Sequence, residues 1–227
     1  MLHLIEGARH ATGLTVIIDV FRAFSLACYL SAQGAKRIIP VGDIEFAYGL
    51  KKKNSGFILI GERNNKKMPG FDFGNSPFEV RGQDFTGKTI VHTTSAGTQG
   101  IANASKADEI ITGSFVNAGA IVKYIRTVNP QDVSLVCMGY SANHPVEEDT
   151  LCAEYIRSVL ENKPVDFSEI RKTIGNTSGK RFFNPETQEH CPAEDFHMCL
   201  DLNRFNFVLK AEKDTSGFTK LKRIEIS

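Results

Sequence analysis

The feature that most constrains the fold of this chain is a regular alternation of short β-branched apolar runs with segments of helical spacing. Strands are predicted at 14–20, 37–41 and 57–60, with helices at 23–33 and 44–52 between them. Strands that alternate with helices pair in parallel, and the helices cover the sheet. The pattern therefore predicts a layered α/β fold.

The same order of elements returns later, with strands predicted at 88–92, 109–112 and 132–138 and helices at 97–105 and 117–127. The second series can be laid over the first at an offset of 73 residues, so that Val16 meets Thr89 and Val41 meets Ser114 without a gap. Few residues are identical, so the repeat is one of structure. We expect an α/β/α arrangement with parallel-type sheets, built from two similar β-α-β-α-β halves.

The expected halves cover residues 1–84 and 85–161, and residues 162–227 are expected to pack on them, forming one functional unit. A last long helix is predicted at 147–161. Residues 175–195 are rich in Gly, Asn, Thr, Ser and Pro, which predicts a long loop with little regular structure. Two short elements follow, at 195–201 and at 205–211, the second of them a strand.

Charge and composition narrow the classes of function. Lys and Arg number 27 against 26 Asp and Glu, and a net charge of +1 gives no basic footprint for nucleic acid. No apolar run approaches the roughly 20 residues that span a bilayer, and the N-terminus lacks a secretion-signal pattern. Five scattered cysteines without a Cys-x-x-Cys pair indicate reduced thiols. We expect a cytoplasmic protein whose partner is a small molecule, with no nucleic acid and no membrane, and homodimer formation is left open.

Polar turns after the predicted strands are the expected ligand positions, because open α/β sheets bind ligands beyond the carboxyl ends of their strands. If the sheets are parallel, these turns converge on one edge. Residues 93–98, which we call the Thr-rich turn, lead into a helix and predict an anion site at its N-terminus. A hydroxyl-rich helix cap is the alternative. The candidate phosphate-binding residues of this turn and of the turn after the fifth strand are Thr93, Thr94, Ser95, Gly97, Thr98, Ser114 and Asn117.

Acidic residues also stand at the end of the first predicted strand and at the start of the last long helix. Asp19 ends the first predicted strand and is a candidate Mg²⁺ ligand or nucleophile, with a helix cap as the alternative. Arg22 is a candidate clamp for phosphate or sulfonate, with a surface salt bridge as the alternative. Glu148 and Asp149 open the last long helix, where the helix dipole favours acids. Asp149 shares a face with the expected core, so it needs a metal or a basic partner.

A glycine-rich stretch follows the third predicted strand. Glycines and prolines surround Asp72 and Asn75, which suits close approach to a ligand. Asx-turns within an ordered connector are the alternative. The candidate residues of this stretch are Glu62, Arg63, Asp72, Asn75 and Ser76.

Six motifs occur in order: Val16-Ile-Ile-Asp-Val-Phe-Arg-Ala23, Gly61-Glu-Arg63, Gly70-Phe-Asp-Phe-Gly-Asn-Ser-Pro77, the Thr-rich turn, Gly113-Ser-Phe-Val-Asn-Ala118 and Glu148-Asp149. Together they resemble the 2-phosphosulfolactate phosphatase family over about residues 14–161, with a weaker echo at 195–209. The resemblance implies a layered α/β fold with two similar halves. It also implies a Mg²⁺-dependent phosphatase that makes sulfolactate on the route to coenzyme M.

Two motifs depart from the family pattern. Phe24, Ser25 and Leu26 stand where the family has three threonines. The family's Thr-Thr-Asn-Gly-Thr corresponds to Thr94-Ser95-Ala96-Gly97-Thr98 or to its one-residue neighbour, and in either case the Asn is absent. These departures are expected to reshape the pocket while the phosphate and metal residues remain. The catalytic class is therefore better supported than the substrate.

The expected function is Mg²⁺-dependent hydrolysis of a small anionic phosphomonoester, with 2-phosphosulfolactate as the leading substrate. The expected catalytic residues are Asp19, Arg22, Glu62 and Asp72, and the expected Mg²⁺ ligands are Asp19, Glu148 and Asp149. The attacking group is either water or Asp19 itself. Two alternatives stay open: a non-catalytic protein that binds a phosphorylated or sulfonated metabolite, and a phosphatase of another pathway.

Overall fold

The computed structural model describes residues 1–226 and shows a ten-stranded mixed sheet flanked by helices. Its strands are β1 (Leu2–His3), β2 (Gly13–Ile18), β3 (Arg37–Pro40), β4 (Ile58–Arg63), β5 (Lys66–Lys67), β6 (Thr89–Thr93), β7 (Ala107–Gly113), β8 (Val133–Cys137), β9 (Phe207–Lys213) and β10 (Thr219–Glu225). Its helices are α1 (Leu4–His10), α2 (Ala23–Ala32), α3 (Ile44–Lys53), α4 (Gly97–Asn103), α5 (Ala118–Val128), α6 (Glu147–Leu160), α7 (Phe167–Asn176) and α8 (Ala193–Cys199). Short 3-10 turns cover Phe115–Asn117, Ser178–Phe183 and Pro185–Thr187.

Two three-stranded parallel units form the body of the sheet. In one unit β2 lies between β8 and β7, and in the other β6 lies between β3 and β4. The antiparallel hairpin of β9 and β10 joins the units, because β9 pairs with β7 and β10 pairs with β3. At the two edges, β1 pairs in parallel with β8, and β5 forms a short hairpin with β4.

The two parallel units run in opposite directions, since three successive antiparallel pairings separate β7 from β3. The carboxyl ends of the two central strands nevertheless meet. A side-chain carbon at Gly97, just after β6, would lie 2.8 Å from Oδ2 of Asp19, just after β2. The polar turns therefore converge head to head, not along one edge of a single parallel sheet as the sequence suggested.

Each parallel unit draws strands from both predicted halves. Strand β2 belongs to residues 1–84 but lies between two strands of residues 85–161, and β6 has the reverse arrangement. The halves thus exchange their first strands and are interlocked within one sheet. Their common origin as a duplication stays a prediction.

Side chains on the central strands alternate between two layers of helices, as strands buried on both faces require. On β2, Ile17 packs in a cluster with residues of α1, α2 and α4, whereas Val16 and Ile18 pack in a cluster with residues of α5 and α6. On β6, Ile90 joins the first cluster and Val91 packs in a third cluster with residues of α3. The first cluster therefore spans both units on one face of the sheet.

The structure confirms the α/β class and a sheet that is mostly parallel inside its two units. Residues 175–195 differ from the prediction, because most of them form two 3-10 turns and the start of α8 around the fully buried ring of Phe182. Helices α1 and α7 and strand β10 carried no sequence prediction. Within residues 1–226, no helix combines the length and the apolar character needed to cross a bilayer.

Alanine substitutions at two glycines inside helices test the close packing of α4 on the sheet. A Cβ at Gly100 would lie 2.5 Å from Ile17 Cγ2, whereas a Cβ at Gly49 in α3 would meet nothing within 4 Å. Overpacking typically costs about 1–3 kcal/mol, and replacing a helical glycine by alanine returns about 1 kcal/mol. We expect Gly100→Ala to lower the free energy of unfolding in urea by on the order of 1–2 kcal/mol and Gly49→Ala to raise it slightly. Equal effects at both positions would contradict this packing.

Candidate active site

A narrow cleft lies where the carboxyl ends of β2 and β8 face those of β4 and β6. The non-atom space of the cleft is about 390 Å³, which includes space open to solvent at the mouth. Its lining residues are Asp19, Phe21, Glu62, Asn65, Asn75, Ser95, Ala96, Gly139, Tyr140, Ser141, Glu148, Asp149 and Arg181. Four of these side chains are acids and one is a base, so we call this site the acidic cleft.

Asp19 lies between the starts of two helices and is 5% exposed. Its Oδ1 accepts a hydrogen bond from Ala23 N at 3.1 Å, so the carboxylate caps α2. Its Oδ2 faces Gly97, the first residue of α4. Both helix starts favour a negative charge at this position. Asp19 therefore acts as a helix cap and lines the cleft at the same time.

Asp149 ties the ends of two parallel strands together. Its Oδ1 accepts a hydrogen bond from Val20 N, beyond β2, and its Oδ2 accepts one from Gly139 N, beyond β8, each at 2.8 Å. Gly139 has φ +70°, and a Cβ there would lie 2.2 Å from the carbonyl oxygen of His144. Only glycine lets this turn present its N–H to Asp149.

Glu148 is buried with one oxygen poorly paired and the other unpaired. Its Oε1 lies 3.5 Å from Arg181 Nη2, and its Oε2 has no partner within 3.5 Å, although the nearby Ser178 side chain opposes the rise that burial causes in the pKa of this carboxyl. A buried carboxylate oxygen without a partner is costly. It marks a position where a cation, or a donor from a ligand, fits.

Glu62, at the end of β4, anchors the Thr-rich turn. Its Oε1 accepts a hydrogen bond from Ser95 N at 2.7 Å, and its Oε2 accepts one from Asn65 N at 2.8 Å and one from Ser95 Oγ at 3.2 Å. Beside it, Asn75 Oδ1 lies 3.4 Å from Nε2 of the fully buried His92. Burial lowers the pKa of His92 to about 4, so this imidazole is neutral at pH 7.

The crowding of acids changes their proton affinity. Burial raises the pKa of Asp19 to about 7, opposed by the Ala23 N–H and reinforced by the charges of Glu62 and Glu148. Burial also raises the pKa of Asp149 well above its usual range, and the charges of Asp19 and Glu148 add to this rise. Burial raises the pKa of Glu148 too, although Arg181 opposes the shift. The folded chain therefore concentrates more negative charge here than its own residues neutralise.

This charge excess and the unpaired Oε2 of Glu148 fit a divalent cation. Within residues 1–226, no three Asp, Glu, His or Cys side chains form a ready-made metal site. Mg²⁺ is commonly held by one or two carboxylates, with water and substrate oxygens completing its shell. Asp19, Glu148 and Asp149 offer carboxylates of this kind.

The structure brings together part of the predicted site. The predicted residues that line the acidic cleft are Asp19, Glu62, Asn75, Ser95, Glu148 and Asp149. Gly97 packs directly against Asp19. The predicted residues that do not line it are Arg22, Arg63, Asp72, Ser76, Thr93, Thr94, Thr98, Ser114 and Asn117.

Arg22 belongs to a buried network, not to a surface salt bridge. Its Nη1 donates to Asp195 Oδ2 at 2.6 Å and to the His190 carbonyl oxygen at 2.8 Å. The other oxygen of Asp195 accepts hydrogen bonds from Ser76 Oγ at 2.8 Å and from Phe78 N at 2.9 Å. The network joins the turn after β2 and the loop that carries Asn75 to α8. A role for Arg22 as a phosphate clamp stays a prediction.

The remaining polar candidates have partners within the chain. Asp72 accepts hydrogen bonds from Leu59 N at 2.8 Å and from Lys51 Nζ at 3.1 Å. Arg63 donates to the Gly42 carbonyl oxygen at 3.0 Å and to Thr93 Oγ1 at 2.9 Å.

The hydroxyl groups of the two turns are likewise paired internally. Thr94 N donates to Thr98 Oγ1 at 3.0 Å, and Ser114 N donates to Asn117 Oδ1 at 3.2 Å. Ser114 Oγ also lies 2.6 Å from Ser25 Oγ. Of the Thr-rich turn, Ser95 and Ala96 line the acidic cleft.

Sequence reasoning missed Phe21, Asn65, Ser141 and Arg181 as site residues, and it placed Tyr140 among the turn residues after the predicted strands without assigning it a role. Arg181 lies in the 3-10 turn Ser178–Phe183, within the segment predicted as a loop. The only local signal was a basic residue beside two phenylalanines, which indicates no particular site. Tyr140 directly follows Gly139 at the end of the sixth predicted strand, which is a position where ligands are expected.

The chain is similar to a known family of proteins along nearly its whole length. Residues 2–214 match the family described as 2-phosphosulpholactate phosphatase. A protein of Caldicellulosiruptor saccharolyticus named probable 2-phosphosulfolactate phosphatase is 38% identical over 174 residues, which cover 74% of this chain and 72% of that protein.

Two further relatives carry the same printed name. The protein of Bacillus subtilis is 29% identical over 215 residues, 92% of each chain. The protein of Thermotoga petrophila is 42% identical over 147 residues, 65% of this chain. That match spans only 63% of the Thermotoga protein, less than two thirds of its length.

The acidic cleft predicts an unusual dependence of stability on pH. The folded-state pKa of Asp19 is raised from 3.8 to about 7, so the folded chain binds more protons than the unfolded chain between these values. Stability is therefore lost as pH rises through that window. In EDTA, we expect the free energy of unfolding to fall by about 2–3 kcal/mol from this residue between pH 5 and pH 8.

Asp19→Asn should flatten this dependence and make the chain more stable than the wild type at pH 8. Asp43→Asn is the matched control, because Asp43 caps α3 outside the cleft and Asn caps equally well. Urea unfolding at both pH values measures the effect. A wild-type stability that stays level or rises from pH 5 to pH 8, unchanged by Asp19→Asn, would contradict the assigned electrostatics.

Proposed function

Because this chain belongs to the 2-phosphosulfolactate phosphatase family, we propose that its acidic cleft hydrolyses 2-phosphosulfolactate to 3-sulfolactate and phosphate with the help of Mg²⁺. The observation that carries the proposal is the cluster of four buried carboxylates facing one guanidinium beyond the carboxyl ends of the central strands. A phosphate ester is an anion and is repelled by this cluster alone. A divalent cation removes the conflict, which supports Mg²⁺ as the cofactor.

In this proposal, one or two of the carboxylates of Asp19, Glu148 and Asp149 would hold the cation, and water and substrate oxygens would complete its shell. When bound, Mg²⁺ supplies positive charge that neutralises the phosphoryl oxygens as charge shifts in the transition state. Asp149 keeps its two backbone hydrogen bonds and so fixes the ends of β2 and β8 around the ion. Glu148 offers the oxygen that has no partner within the chain.

Asp19 is the proposed reacting residue. Its carboxylate is buried at the start of α2 and lines the cleft beside the other acids. In one route Asp19 removes a proton from the water that attacks phosphorus, and in the other the carboxylate of Asp19 attacks phosphorus itself. In both routes the bond from phosphorus to the ester oxygen breaks and 3-sulfolactate leaves, its oxygen taking up a proton from Asp19 in the first route and from solvent in the second. In the second route water then hydrolyses the aspartyl-phosphate, which releases phosphate and restores Asp19. Reduction of the trapped aspartyl-phosphate with borohydride distinguishes the second route from the first.

Neutral donors surround the same space. The side chains of Asn65 and Asn75 line the cleft, and their amide groups suit phosphoryl or ester oxygens, whereas both donors of Ser95 are held by Glu62. Glu62 fixes Ser95 through the backbone N–H and the hydroxyl of that residue, so Glu62 serves as a positioning residue. Its substitution is expected to displace the turn that carries Ser95.

The two departures from the family pattern have different consequences. Phe24 and Leu26 are fully buried in the core, and Ser25 Oγ donates to the Val20 carbonyl oxygen at 2.8 Å, so these three residues do not line the cleft. Ser95 and Ala96 both line the cleft, and one of them stands where the family has an Asn. This missing amide is the observation that favours the alternatives, namely a binding protein without turnover or a phosphatase for another ester.

Phosphate release by the purified chain tests the proposal. We expect release from 2-phosphosulfolactate in Mg²⁺ and none in EDTA, with slower release from phospholactate, phosphoglycerate and phenyl phosphate. Preference for another ester would keep the phosphatase class and discard this substrate. Binding of the esters by a folded, metal-loaded chain that releases no phosphate would favour the binding protein.

Asp19→Asn removes the proposed reacting group with little change in shape. We expect kcat to fall by about 10²–10⁴-fold, the range expected when acid–base catalysis is lost. The control Asp43→Asn should retain wild-type kcat, because Asp43 caps α3 and does not line the cleft. Comparable kcat values for Asp19→Asn and the wild type would remove Asp19 from the chemistry.

Metal binding has a readout that does not depend on turnover. Ligands that bind only the folded state raise stability by mass action. At pH 8 we expect Mg²⁺ at a hundred times its dissociation constant to stabilise the wild type by about 2.7 kcal/mol and to stabilise Asp19→Asn much less. Calorimetry gives the dissociation constant. Equal stabilisation of the two proteins would place the ion elsewhere.

A further inference from the structure

We propose that Arg181 binds the sulfonate of the substrate, which is one of its two acidic groups that are not transferred. This inference rests on the proposed function, because it assigns a partner within the same cleft. Among the cleft-lining residues that the structure describes, Arg181 is the one with a basic side chain. A substrate that carries a sulfonate and a carboxylate besides its phosphate needs positive charge away from the reacting atoms.

The donors of Arg181 are largely uncommitted. Its Nε is buried and has no hydrogen-bond partner. Its Nη2 lies 3.5 Å from Glu148 Oε1 and 3.5 Å from the Phe21 carbonyl oxygen, both at the long limit of a hydrogen bond. The Arg181 side chain is 22% exposed, so part of the guanidinium is open to an anion, and a guanidinium with uncommitted donors gains hydrogen bonds when an anion binds. Use of the Nε and Nη2 fork requires a shift of the side chain that uncovers Nε.

Aromatic rings shape the surroundings of this guanidinium. Its central carbon lies 5.2 Å from the ring centre of Phe182, 5.6 Å from that of Phe21 and 5.9 Å from that of Tyr140. Rings at these distances stabilise the cation and restrict its position. The low polarity around them also strengthens any ion pair formed there.

The backbone that carries Arg181 is anchored on both sides. Thr187 Oγ1 donates to the Arg181 carbonyl oxygen, and Gln188 Nε2 donates to the Phe182 carbonyl oxygen at 2.6 Å. Gly179 lets the 3-10 turn pack against α8, since a Cβ there would lie 2.6 Å from the Phe196 ring. The 3-10 turn and the neighbouring aromatic rings therefore hold the Arg181 side chain at the cleft.

Charge matching distinguishes the non-transferred group from the phosphoryl group. Glu148 already offsets part of the single positive charge of Arg181, so little remains for a phosphate dianion. Near pH 7 a carboxylate carries one negative charge across two oxygens and a sulfonate carries one across three, so both suit one guanidinium. A larger loss of kcat/KM in Arg181→Gln on 2-phosphosulfolactate than on phospholactate assigns the sulfonate. The charge of either group does not change during hydrolysis, so Arg181 should bind the ground state and the transition state equally.

Steady-state kinetics of Arg181→Gln on two esters tests this assignment. With 2-phosphosulfolactate, we expect kcat/KM to fall about 10–150-fold, the loss typical of one charge-assisted hydrogen-bonding group, mainly through KM. With phenyl phosphate, which has no second acid, kcat/KM should change less than about 3-fold. Lys180→Gln is the matched control, because Lys180 is exposed on the same turn, and it should behave as the wild type on both esters.

Calorimetry with 3-sulfolactate, which lacks the phosphate, gives a readout without turnover. Arg181→Gln should raise the dissociation constant of 3-sulfolactate by the same factor by which it lowers kcat/KM for 2-phosphosulfolactate. Arg181→Lys keeps the charge but loses the fork, so its dissociation constant should lie between those of the wild type and Arg181→Gln. If the wild type releases no phosphate from any ester, the proposed function fails, and these titrations still decide the role of Arg181. Equal losses of kcat/KM on both esters, or 3-sulfolactate binding that is absent from the wild type or unchanged in Arg181→Gln, would overturn the inference.

Discussion

The carboxylate of Asp149 is the interaction on which the site depends. Its two oxygens accept the backbone N–H groups of Val20 and Gly139, and so join the chain just beyond two neighbouring strands. Asp149 is therefore a buried acid beside Asp19 and Glu148, and the negative charges of these two neighbours raise the free energy of ionising it. The same contact that fixes the strand ends therefore creates the concentration of negative charge that defines the acidic cleft.

The exchange of strands between the two halves explains why acids from distant parts of the chain meet. Strand β2 brings Asp19 into a unit whose other strands come from the second half, and β6 brings Ser95 into a unit built from the first. The units run in opposite directions, and the carboxyl ends of their central strands face each other. A binding cleft then forms between two sets of strand ends, with Glu62 linking one set to the Thr-rich turn.

Much of the fold and part of the site could be predicted from the sequence, since local patterns carry them. The alternation of predicted strands with predicted helices indicated the α/β class. The positions of Asp19 and Ser95 at the ends of predicted strands identified them as candidate site residues. The opposite direction of the units depends on pairing with β9 and β10, which no local pattern specifies. Arg181 stayed hidden because its position depends on packing of the turn against α8. Thr94 and Thr98 were ambiguous, since hydroxyls that cap a turn and hydroxyls that bind an anion have the same sequence pattern.

We propose that the cation and the phosphoryl group meet at the clustered carboxylates. A crystal structure grown with Mn²⁺, which gives an anomalous signal in place of Mg²⁺, and with vanadate as a phosphate analogue tests it most directly. We expect an anomalous peak within bonding distance of carboxylate oxygens of Asp19, Glu148 or Asp149, with vanadate oxygens completing the shell. A peak elsewhere, or vanadate bound without the ion at the Thr-rich turn, would contradict it.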